Sequence, residues 1–495
     1  MDAELLSAAP PDGGLRGNPI PDISGLTADS RAVRPGYLFA ALPGSKLDGR
    51  RFIDDAVRRG ASAILTDDAG DLATLWARQP PVAVVTDANP RRRLALMAAR
   101  FYARQPRTIA AITGTSGKTS VAAFTRQLWQ HHGHKAASLG TLGIIGPGFV
   151  RAGSLTTPDP VTLHRELAEL ARAGVDRVAL EASSHGLEQY RLDGLAISIG
   201  AFTNLSRDHL DYHPTMAAYL AAKSRLFAEL MPAGATAVLN ADVPEFAPLA
   251  AICRQRGHAI ISYGRDDAAD LRIVTTDFDG GRLSLIVRIQ GRVLHVVLRN
   301  LAGLFQAMNA MAAFGIALAS GESVDDLIVA LADLDAVPGR MQRVAAHPTG
   351  APIYVDYAHK PDALETVLTA LRPHASGRLV VVFGCGGDRD AGKRPMMGAI
   401  AHRLADRVIV TDDNPRSERP EFIRAAILAA CPGANEIGDR RAAIHAAIAA
   451  LAPEDVLVIA GKGHETGQIV GNTILPFDDA IVAREIVGAL LEATR

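Results

Sequence analysis

The sequence predicts an α/β protein of three domains, and three observations predict it. The chain has 495 residues, more than a single hydrophobic core fills, and about three domains is the natural division. A glycine-rich turn, Ile112-Thr113-Gly114-Thr115-Ser116-Gly117-Lys118-Thr119-Ser120, joins an apolar run, Thr108 to Ile112, to a helix-like segment, Val121 to Gln130. From about residue 336 an apolar strand, a polar glycine-bearing loop and a helix recur as a unit. Near-continuous apolar strands that alternate with helices pair in parallel and are covered on both faces. The chain therefore reads as an N-terminal domain over 1–105, a central P-loop parallel-sheet ATPase domain over 106–335 and a C-terminal Rossmann-like domain over 336–495.

Apolar residues make up 48% of the chain and charged residues 21%, the proportions of an ordinary soluble globular protein. With a net charge of −1 and no long basic block, the chain does not advertise a nucleic-acid surface. Cys253, Cys385 and Cys431 are widely separated, make no metal-ligand spacing and read as reduced cytosolic thiols. Met1 to Gly17 lacks a positive region followed by an apolar one, so it is not read as a secretory signal. No apolar run reaches the roughly 18 residues of a spanning helix, and the cytoplasm is the expected location.

In the first region short apolar runs (Tyr37 to Leu42, Ala61 to Leu65, Val82 to Val85) alternate with helical stretches such as Phe52 to Arg59. The central region opens with the glycine-rich turn. Backbone N–H groups of such a turn, and the N-terminus of the helix after it, point at a phosphate; Lys118 and the Thr119 hydroxyl are at hand for phosphate oxygens and Mg2+. Ile112 stands where a strict Walker A loop has its first glycine, so the turn is one residue tighter. With a strand before and a helix after, a nucleoside triphosphate is the expected ligand. Val178 to Leu180 reads as a short strand followed by Glu181-Ala182-Ser183-Ser184-His185-Gly186, and a carboxylate at the end of a strand beside a P-loop strand is where Mg2+ is commonly held. Thr203 to Asp211, and Lys223 within the helical stretch Ala217 to Leu230, complete the polar clusters. Singly, His185 and His209 read as structural histidines and Lys223 as a solvated helix lysine. Their recurrence after successive strands shifts the reading to a site. Alternation over residues 268–300 around Gly280-Gly281 predicts a small β-hairpin.

The third region follows Val337-Pro338-Gly339. Leu379 to Phe383 ends in Gly384 to Asp390, Arg407 to Thr411 in Asp412 to Arg416, and Val456 to Ala460 in Gly461 to Glu465. Ligands of open parallel sheets sit outside the carboxyl ends of the strands, so these loops are expected to share an edge and their charges to converge. Arg416 offers a planar fork to a carboxylate, while Asp413 and the Asn414 carbonyl can accept from an ammonium, with Pro415 stiffening the turn. With Arg389 and Glu465 on neighbouring loops the edge suits a zwitterion; a solvated charged loop is the plainer alternative. Cys385, flanked by glycines and without a base, reads as a small loop residue and not a nucleophile. Gly384-Cys385-Gly386-Gly387 has the wrong spacing for a dinucleotide fingerprint.

As a set, Thr113 to Thr119, Glu181 to His185, Thr203 to His209, Gly339-Arg340-Met341 and Asp356 to Asp362 resemble the motifs of the Mur ligase family, ATP-dependent amide-bond formers of peptidoglycan precursor synthesis. The resemblance covers nearly the whole chain. Asp413-Asn414-Pro415-Arg416 is similar to the signature of the branch that adds meso-diaminopimelate to UDP-N-acetylmuramoyl-L-alanyl-D-glutamate; the branch adding L-lysine typically lacks the arginine. The resemblance implies roles by position. Gly114, Thr115, Ser116, Gly117, Lys118, Thr119 and Ser120 would hold the ATP phosphates, with Asn309, Arg340 and Asp356 as further nucleotide contacts. Thr119 and Glu181 would share one Mg2+. His209 would ligate a second, which Lys223, as a carbamate (N6-carboxylysine), would help to position. Ser30 and the Gly44 to Gly49 loop would take the uridine nucleotide, and Thr156, Thr157, Ser184, Gln189 and Arg191 the muramoyl-dipeptide. Arg389, Asp413, Asn414, Arg416, Gly461 and Glu465 would form the diaminopimelate pocket. Gln306 and Gln342 depart from the family, which usually has Asn at the first and frequently Glu at the second.

The implied chemistry activates a carboxylate whose leaving group would otherwise be oxide. The γ-phosphoryl would pass to the D-glutamate γ-carboxylate, and the amine of diaminopimelate would attack the acyl phosphate through a tetrahedral intermediate, releasing phosphate. The P-loop, Lys118 and Mg2+ supply positioning and charge neutralisation. The attacking amine must be neutral, and His209 and Asp208 are candidates to accept its proton. Lys118, Glu181, His209 and Lys223 are the expected catalytic set. The resemblance further implies ATP and Mg2+, small-molecule substrates with no nucleic acid and no membrane insertion, a monomer and a cytoplasmic enzyme. Rival readings are a folylpolyglutamate synthase, which shares the P-loop logic, and a non-catalytic nucleotide switch, which has no need of Glu181, His209 and Lys223 as a second metal set.

Overall fold

The computed structural model describes residues 15–16, 22–44, 47–67, 82–153, 155–210, 212–279 and 282–493. Met1 to Gly17 apart from Leu15 and Arg16, Ser45 and Lys46 of the Gly44 to Gly49 loop, Asp211 and the Gly280-Gly281 turn lie outside the described residues. The described strands form sheets of five, eleven, six and two strands. The fold class is α/β, as the alternation of strands and helices predicts.

In the five-stranded sheet Gly25–Thr27, Tyr37–Ala40, Ala63–Thr66 and Ala83–Thr86 run parallel, and Leu15–Arg16 pairs antiparallel with the last of them. Side chains of successive residues point to opposite faces of a strand. Leu38 and Ala40 enter one apolar core, and Phe39 and Ala41 the other.

The P-loop strand, Thr108–Thr113, lies between Arg177–Glu181 and Ile197–Phe202, parallel to both. Ala110 and Ile112 pack with Phe124, Leu128 and Trp129 of the P-loop helix, Lys118–His131, and with the helix Leu304–Ala319. Ile109 and Ala111 join the core on the opposite face. Both faces are covered, which is why the strand reads as an unbroken apolar run. Glu181 pairs in register with Ile112, and Phe202 with Thr113. The loops after all three strands therefore open at one level, in the crevice where such sheets hold ligands.

The expected hairpin over 268–300 is instead a three-stranded antiparallel meander, Leu271–Asp279, Arg282–Ile289 and Arg292–Leu298. It extends the central sheet through the parallel pairing of Tyr263 with Leu271. Its Leu271, Ile273, Leu283, Leu285, Val287 and Ile289 belong to the same core as the P-loop helix. Periodicity shows that a strand has an apolar face, not which sheet it joins.

The six-stranded sheet has the order Gln342–Ala346, Pro352–Asp356, Val456–Ala460, Leu379–Phe383, Arg407–Val410, Asn435–Glu436. Every neighbouring pair is parallel except the first, so the polar loops leave one edge. A small hairpin, Gly467–Val470 with Thr473–Pro476, stands beside that edge. Arg416 N–H donates to Ile469 O (3.0 Å) and Gly471 N–H to Arg416 O (2.8 Å).

Specific bonds join the domains built on the three larger sheets. Asp193, 3% exposed in its side chain, accepts from Arg92 Nε at 3.0 Å and from Arg225 Nη2 at 2.8 Å. Lys360, beyond the Pro352–Asp356 strand, donates to Asp208, beyond the Ile197–Phe202 strand. Among the described residues no helix is long and apolar enough to cross a membrane.

Candidate active site

The P-loop turn owes its shape to Gly114 and Gly117, at φ +144° and +89°. A side chain at Gly114 would collide with Thr203 Oγ1, and one at Gly117 would come within 2.5 Å of Asn309 Oδ1. Thr115 N–H donates to Asn204 O (2.8 Å), Ser116 N–H to Asn204 Oδ1 (2.9 Å), and Thr203 Oγ1 to Ser116 O (2.6 Å). The Thr203-Asn204 pair thus frames the turn, and Ser120 is buried in the helix it opens. Lys118 Nζ curls back onto Gly114 O and Thr115 O, at 3.0 and 2.9 Å. Burial above all pushes its pKa down to about 8; Lys360 and Arg340 add to that, and Glu181 and Asp208 resist.

Glu181 is buried, and its Oε2 accepts from Thr119 Oγ1 at 3.0 Å. Thr141 grips the same carboxylate from the other side, with its N–H to Oε1 (2.7 Å) and its hydroxyl to Oε2 (3.2 Å). The Thr141 and Thr156 hydroxyls meet at 3.1 Å. Thr157 Oγ1 donates to Glu181 O (2.8 Å) and accepts from Ser183 N–H (3.0 Å). Arg191 donates to Thr157 O and to Gln189 Oε1, both at 2.7 Å, and Gln189 Nε2 reaches the Tyr212 hydroxyl (3.1 Å). The Ser184 hydroxyl is buried with no hydrogen-bond partner among the described residues. Thr156, Thr157, Gln189 and Arg191 therefore form one network continuous with Glu181, and Ser184 follows Ser183 beside it.

Lys223 sits on the helix Met216–Arg225, whose first turn is capped by Thr215 Oγ1 accepting from Ala218 N–H at 3.1 Å. Its Nζ is buried, donates to Gly114 O at 2.7 Å and lies 4.4 Å from the centroid of the Tyr219 ring. Burial, with Lys118 nearby, pushes its pKa far below the ordinary lysine value. That lowering favours the neutral amine, the form in which a lysine adds carbon dioxide. His209 adopts φ +53°, lies 3.2 Å from the Asp208 carboxylate and meets His185 edge to face at 4.8 Å. Although 44% of its side chain is exposed, the enclosing cluster desolvates the ring. That desolvation, helped by Lys360 and His185 and opposed by Asp208, pushes its pKa to about 4, and a neutral imidazole is a metal ligand. Burial pushes the Asp208 carboxyl up, but Lys360, His209 and Lys118 outweigh it and hold the group below its ordinary value.

Among the described residues no three His, Cys, Asp or Glu side chains gather as a metal site. Mg2+ is commonly carried by one or two protein oxygens, with phosphates and water completing its shell. The hydroxyl of Thr119 and the carboxylate of Glu181, already 3.0 Å apart, are donors of that kind.

Asn309 Nδ2 donates to Gln306 Oε1 (3.0 Å), and Gln306 Nε2 donates to Arg340 O (3.1 Å). Gln342 Oε1 accepts from Gly339 N–H (3.0 Å). The two departures from the family pattern thus both fasten the Gly339-Arg340-Met341 turn. Asp356 is occupied with the same turn: its carboxylate accepts from Met341 N–H (2.6 Å) and Ala358 N–H (2.7 Å), and burial, against the pull of Arg340, pushes its pKa up to about 6. Arg340 lies 4.3 Å over the Tyr357 ring, and its Nη1 is buried without a partner among the described residues. A buried guanidinium N–H left unpaired calls for an acceptor from outside the chain. Ser30 is buried in a short turn capped by Asp29, and Gly49 N–H closes its loop on Leu42 O (3.0 Å). Both lie in short turns between elements of the N-terminal domain, and among the described residues neither is bonded to the P-loop network.

At the edge of the six-stranded sheet, burial pushes the Asp413 carboxyl up against the pull of Arg440 and Lys462. Gly461, at φ +113°, leaves Asp413 Oδ2 open, because a Cβ there would sit 2.6 Å from it. Arg416, at φ +53°, donates from Nη1 to Gly387 O at 2.8 Å, and Arg389 is exposed on the loop above. Asn414, whose carbonyl the sequence offers to an ammonium, has its side chain engaged within the chain. Its Oδ1 already accepts from Lys462 Nζ (3.1 Å) and Ile469 N–H (2.9 Å), and its Nδ2 donates to Glu465 Oε2 (2.8 Å). An amide oxygen has two lone pairs, so Asn414 organises the edge, and Asp413 and Glu465 remain as acceptors. Beneath them, Arg440 and Asp479 pair at 2.7 Å with both side chains 0% exposed, and Arg440 Nη2 also holds Ala460 O (3.0 Å).

Family models match three stretches of the chain: the catalytic domain of the Mur ligase family over residues 22–102, the Mur ligase middle domain over 112–317 and the glutamate ligase domain over 339–463. The UDP-N-acetylmuramoyl-L-alanyl-D-glutamate--2,6-diaminopimelate ligase of Bradyrhizobium diazoefficiens is 57% identical over 461 residues, 92% of this chain and 93% of that one. The chain belongs to the Mur ligase family. A solved structure of a UDP-N-acetylmuramoyl-L-alanyl-D-glutamate--2,6-diaminopimelate ligase is 34% identical with a TM-score of 0.70, covering 95% of each chain. The folylpolyglutamate synthase of Mycobacterium tuberculosis, complexed with ADP and AMPPCP, shares the fold alone, at 21% identity and a TM-score of 0.63 over 80% of this chain and 95% of its own.

Three residues of this Mur ligase stand at the site without having been singled out from the sequence. Thr141 follows the strand Ala136–Gly140, the other neighbour of Arg177–Glu181, and a hydroxyl just past that strand end was the available signal. Lys360 lies inside a quoted motif, but its partner Asp208 is remote in sequence. Lys462 is hidden among glycines in the Gly461 to Glu465 loop, where a lysine reads as solvated.

Proposed function

We propose that this Mur ligase adds meso-diaminopimelate to the D-glutamate γ-carboxyl of UDP-N-acetylmuramoyl-L-alanyl-D-glutamate in an ATP-dependent reaction. The observation that carries the reading is the loop edge that bears the Arg416 guanidinium, held at Gly387 O, together with the buried Asp413 carboxylate and the part-exposed Glu465. That arrangement is matched to an amino acid with a second carboxylate and ammonium, and it agrees with the name borne by the relative that is 57% identical. L-Lysine would leave Arg416 without an anion.

In the mechanism the turn from Gly114 to Ser120 holds the triphosphate, Lys118 leaves its own loop carbonyls for phosphate oxygens, and Arg340 brings its unpaired N–H to the same charge. Thr119 and Glu181 would hold one Mg2+, with His209 and the carbamate of Lys223 at a second; when bound, these ions neutralise charge on the transferring phosphoryl. Thr156, Thr157, Ser184, Gln189 and Arg191 place the D-glutamate carboxylate for in-line attack on the γ-phosphorus, giving the acyl phosphate and ADP. The amine then attacks the carbonyl carbon, and phosphate leaves. Ser30 and its neighbouring loop take the uridine nucleotide, and Asn309 and Asp356 shape the nucleotide site. Arg389 and Gly461 complete the amino-acid pocket. The enzyme acts as a cytoplasmic monomer, with its domains dividing at 105/106 and 335/336.

Phosphate release with ATP, the UDP-muramoyl-dipeptide and a panel of amino acids tests the reading. Rapid release is expected with meso-diaminopimelate and not with L-lysine, and Arg416→Ala should raise KM for diaminopimelate far more than KM for ATP. Equal turnover with both amino acids would overturn the substrate assignment.

A further inference from the structure

We propose that Lys462 is the positioning residue that pre-sets Glu465 to receive the ammonium of the incoming amino acid; this rests on the reading of the sheet edge as the diaminopimelate pocket. Lys462 is 0% exposed. Its Nζ donates to Asn414 Oδ1 at 3.1 Å, Glu465 Oε2 at 3.0 Å and Gly467 O at 2.7 Å. An ammonium has three protons, and all are used within the chain. The group is therefore no ligand for a substrate carboxylate, despite its charge and its place in the pocket.

The distribution of those bonds assigns its task. Glu465 Oε2 receives both Lys462 Nζ and, at 2.8 Å, Asn414 Nδ2. Among the described residues no donor reaches Oε1, and about a third of the Glu465 side chain (33%) remains exposed. One carboxylate oxygen is clamped and the other is presented. Glu465 N–H to Lys462 O (3.0 Å) closes the turn that carries both side chains. The same ammonium also governs the opposite charge of the pocket. It fixes Gly467 O at the start of the hairpin whose Ile469 O and Gly471 N–H hold the backbone of Arg416. None of the three acceptors lies within the six-stranded sheet; they are on the Asp412 to Arg416 loop, the Gly461 to Glu465 turn and the hairpin. A buried ammonium is tolerated only when paired and fully hydrogen-bonded, and here that requirement is met entirely by pocket elements.

The test is steady-state kinetics of the full-length enzyme carrying Lys462→Met, Lys462→Gln, Glu465→Gln and the Lys462→Met/Glu465→Gln pair, with thermal melting of each. Loss of a charge-assisted contact is expected to raise KM for meso-diaminopimelate roughly 10–100-fold in Lys462→Met and in Glu465→Gln. KM for ATP and for the UDP-muramoyl-dipeptide should stay within about threefold of the parent, and the double variant should be no worse than the poorer single one, because residues acting through one contact do not add. Should Lys462→Met fail to fold, Lys462→Gln, which retains a donor, is expected to show the same selective rise at smaller size. A rise in the KM of all three substrates, or multiplied losses in the double variant, would overturn the proposal. Unchanged KM in Lys462→Met and Lys462→Gln beside a raised KM in Glu465→Gln would overturn it while leaving the pocket intact. Unchanged KM for diaminopimelate in Glu465→Gln would remove the pocket reading itself.

Discussion

The carbonyl oxygen of Gly114 accepts from two lysines, Lys118 at 3.0 Å and Lys223 at 2.7 Å. Two ammonium groups cannot comfortably share one dipole away from water, and burial lowers the pKa of both, that of Lys223 far below the ordinary lysine value and that of Lys118 to about 8. In the proposed chemistry the two diverge: Lys223 would become the carbamate, and Lys118 would keep its proton for phosphate. Burial depresses the Lys118 pKa from 10.5 to about 8, so the ammonium form persists below that pH and is lost above it. kcat/KM for ATP, which reports the free enzyme, is therefore expected to fall as pH rises through about 8. A profile that stays flat into the ordinary lysine range near pH 10 would contradict the assignment. Both lysines were visible in the sequence as members of a polar cluster. Their protonation was not, because it depends on burial against segments about a hundred positions away, such as Lys223 against Gly114, which are 109 residues apart.

The P-loop turn works as an element because it is tight as well as rich in glycine. Gly114→Ala would force a side chain into Thr203 Oγ1 at a φ of +144°, and Cβ strain of that kind costs on the order of 1–3 kcal/mol. The variant is expected to lose the rise in melting temperature that ATP gives the parent; an undiminished rise would mean that the turn does not hold the triphosphate. The element itself was legible: the apolar strand, the turn and the helix lie where the pattern put them, because both faces of Thr108–Thr113 are buried. The meander over Leu271–Leu298 was half legible. Alternation marks its buried face, whereas its attachment through Tyr263 and Leu271 rests on a pairing between strands that no local pattern encodes. The loop edge of the C-terminal sheet was legible as a convergence of charge, but not the saturation of Asn414, which needs Lys462 and the Ile469 N–H brought beside it in space.

Across the whole molecule, the site lies where bonds pass between sheets. The ion pair of Asp208 and Lys360 and the Asn309–Gln306–Arg340 chain both join the central and C-terminal sheets beside the P-loop. The proposed reaction needs phosphoryl donor and amine at one carboxylate, and these bonds between sheets are placed to hold such an arrangement. Lys360→Met is expected to lower kcat roughly tenfold while ATP alone still binds, and pairing it with Asp208→Asn should add little. Independent losses in the two variants would show that the ion pair does not hold the closed arrangement. The motifs quoted from the sequence contain both Asp208 and Lys360, and only the fold shows that the two meet. The central claim is that this chain activates a carboxylate as an acyl phosphate and passes it to meso-diaminopimelate. The most direct measurement follows 18O from the D-glutamate γ-carboxylate of labelled UDP-muramoyl-dipeptide by mass spectrometry of the released phosphate. The account predicts one labelled oxygen per phosphate, with amide product formed in equal amount when meso-diaminopimelate is supplied; unlabelled phosphate accompanying the same product would contradict it.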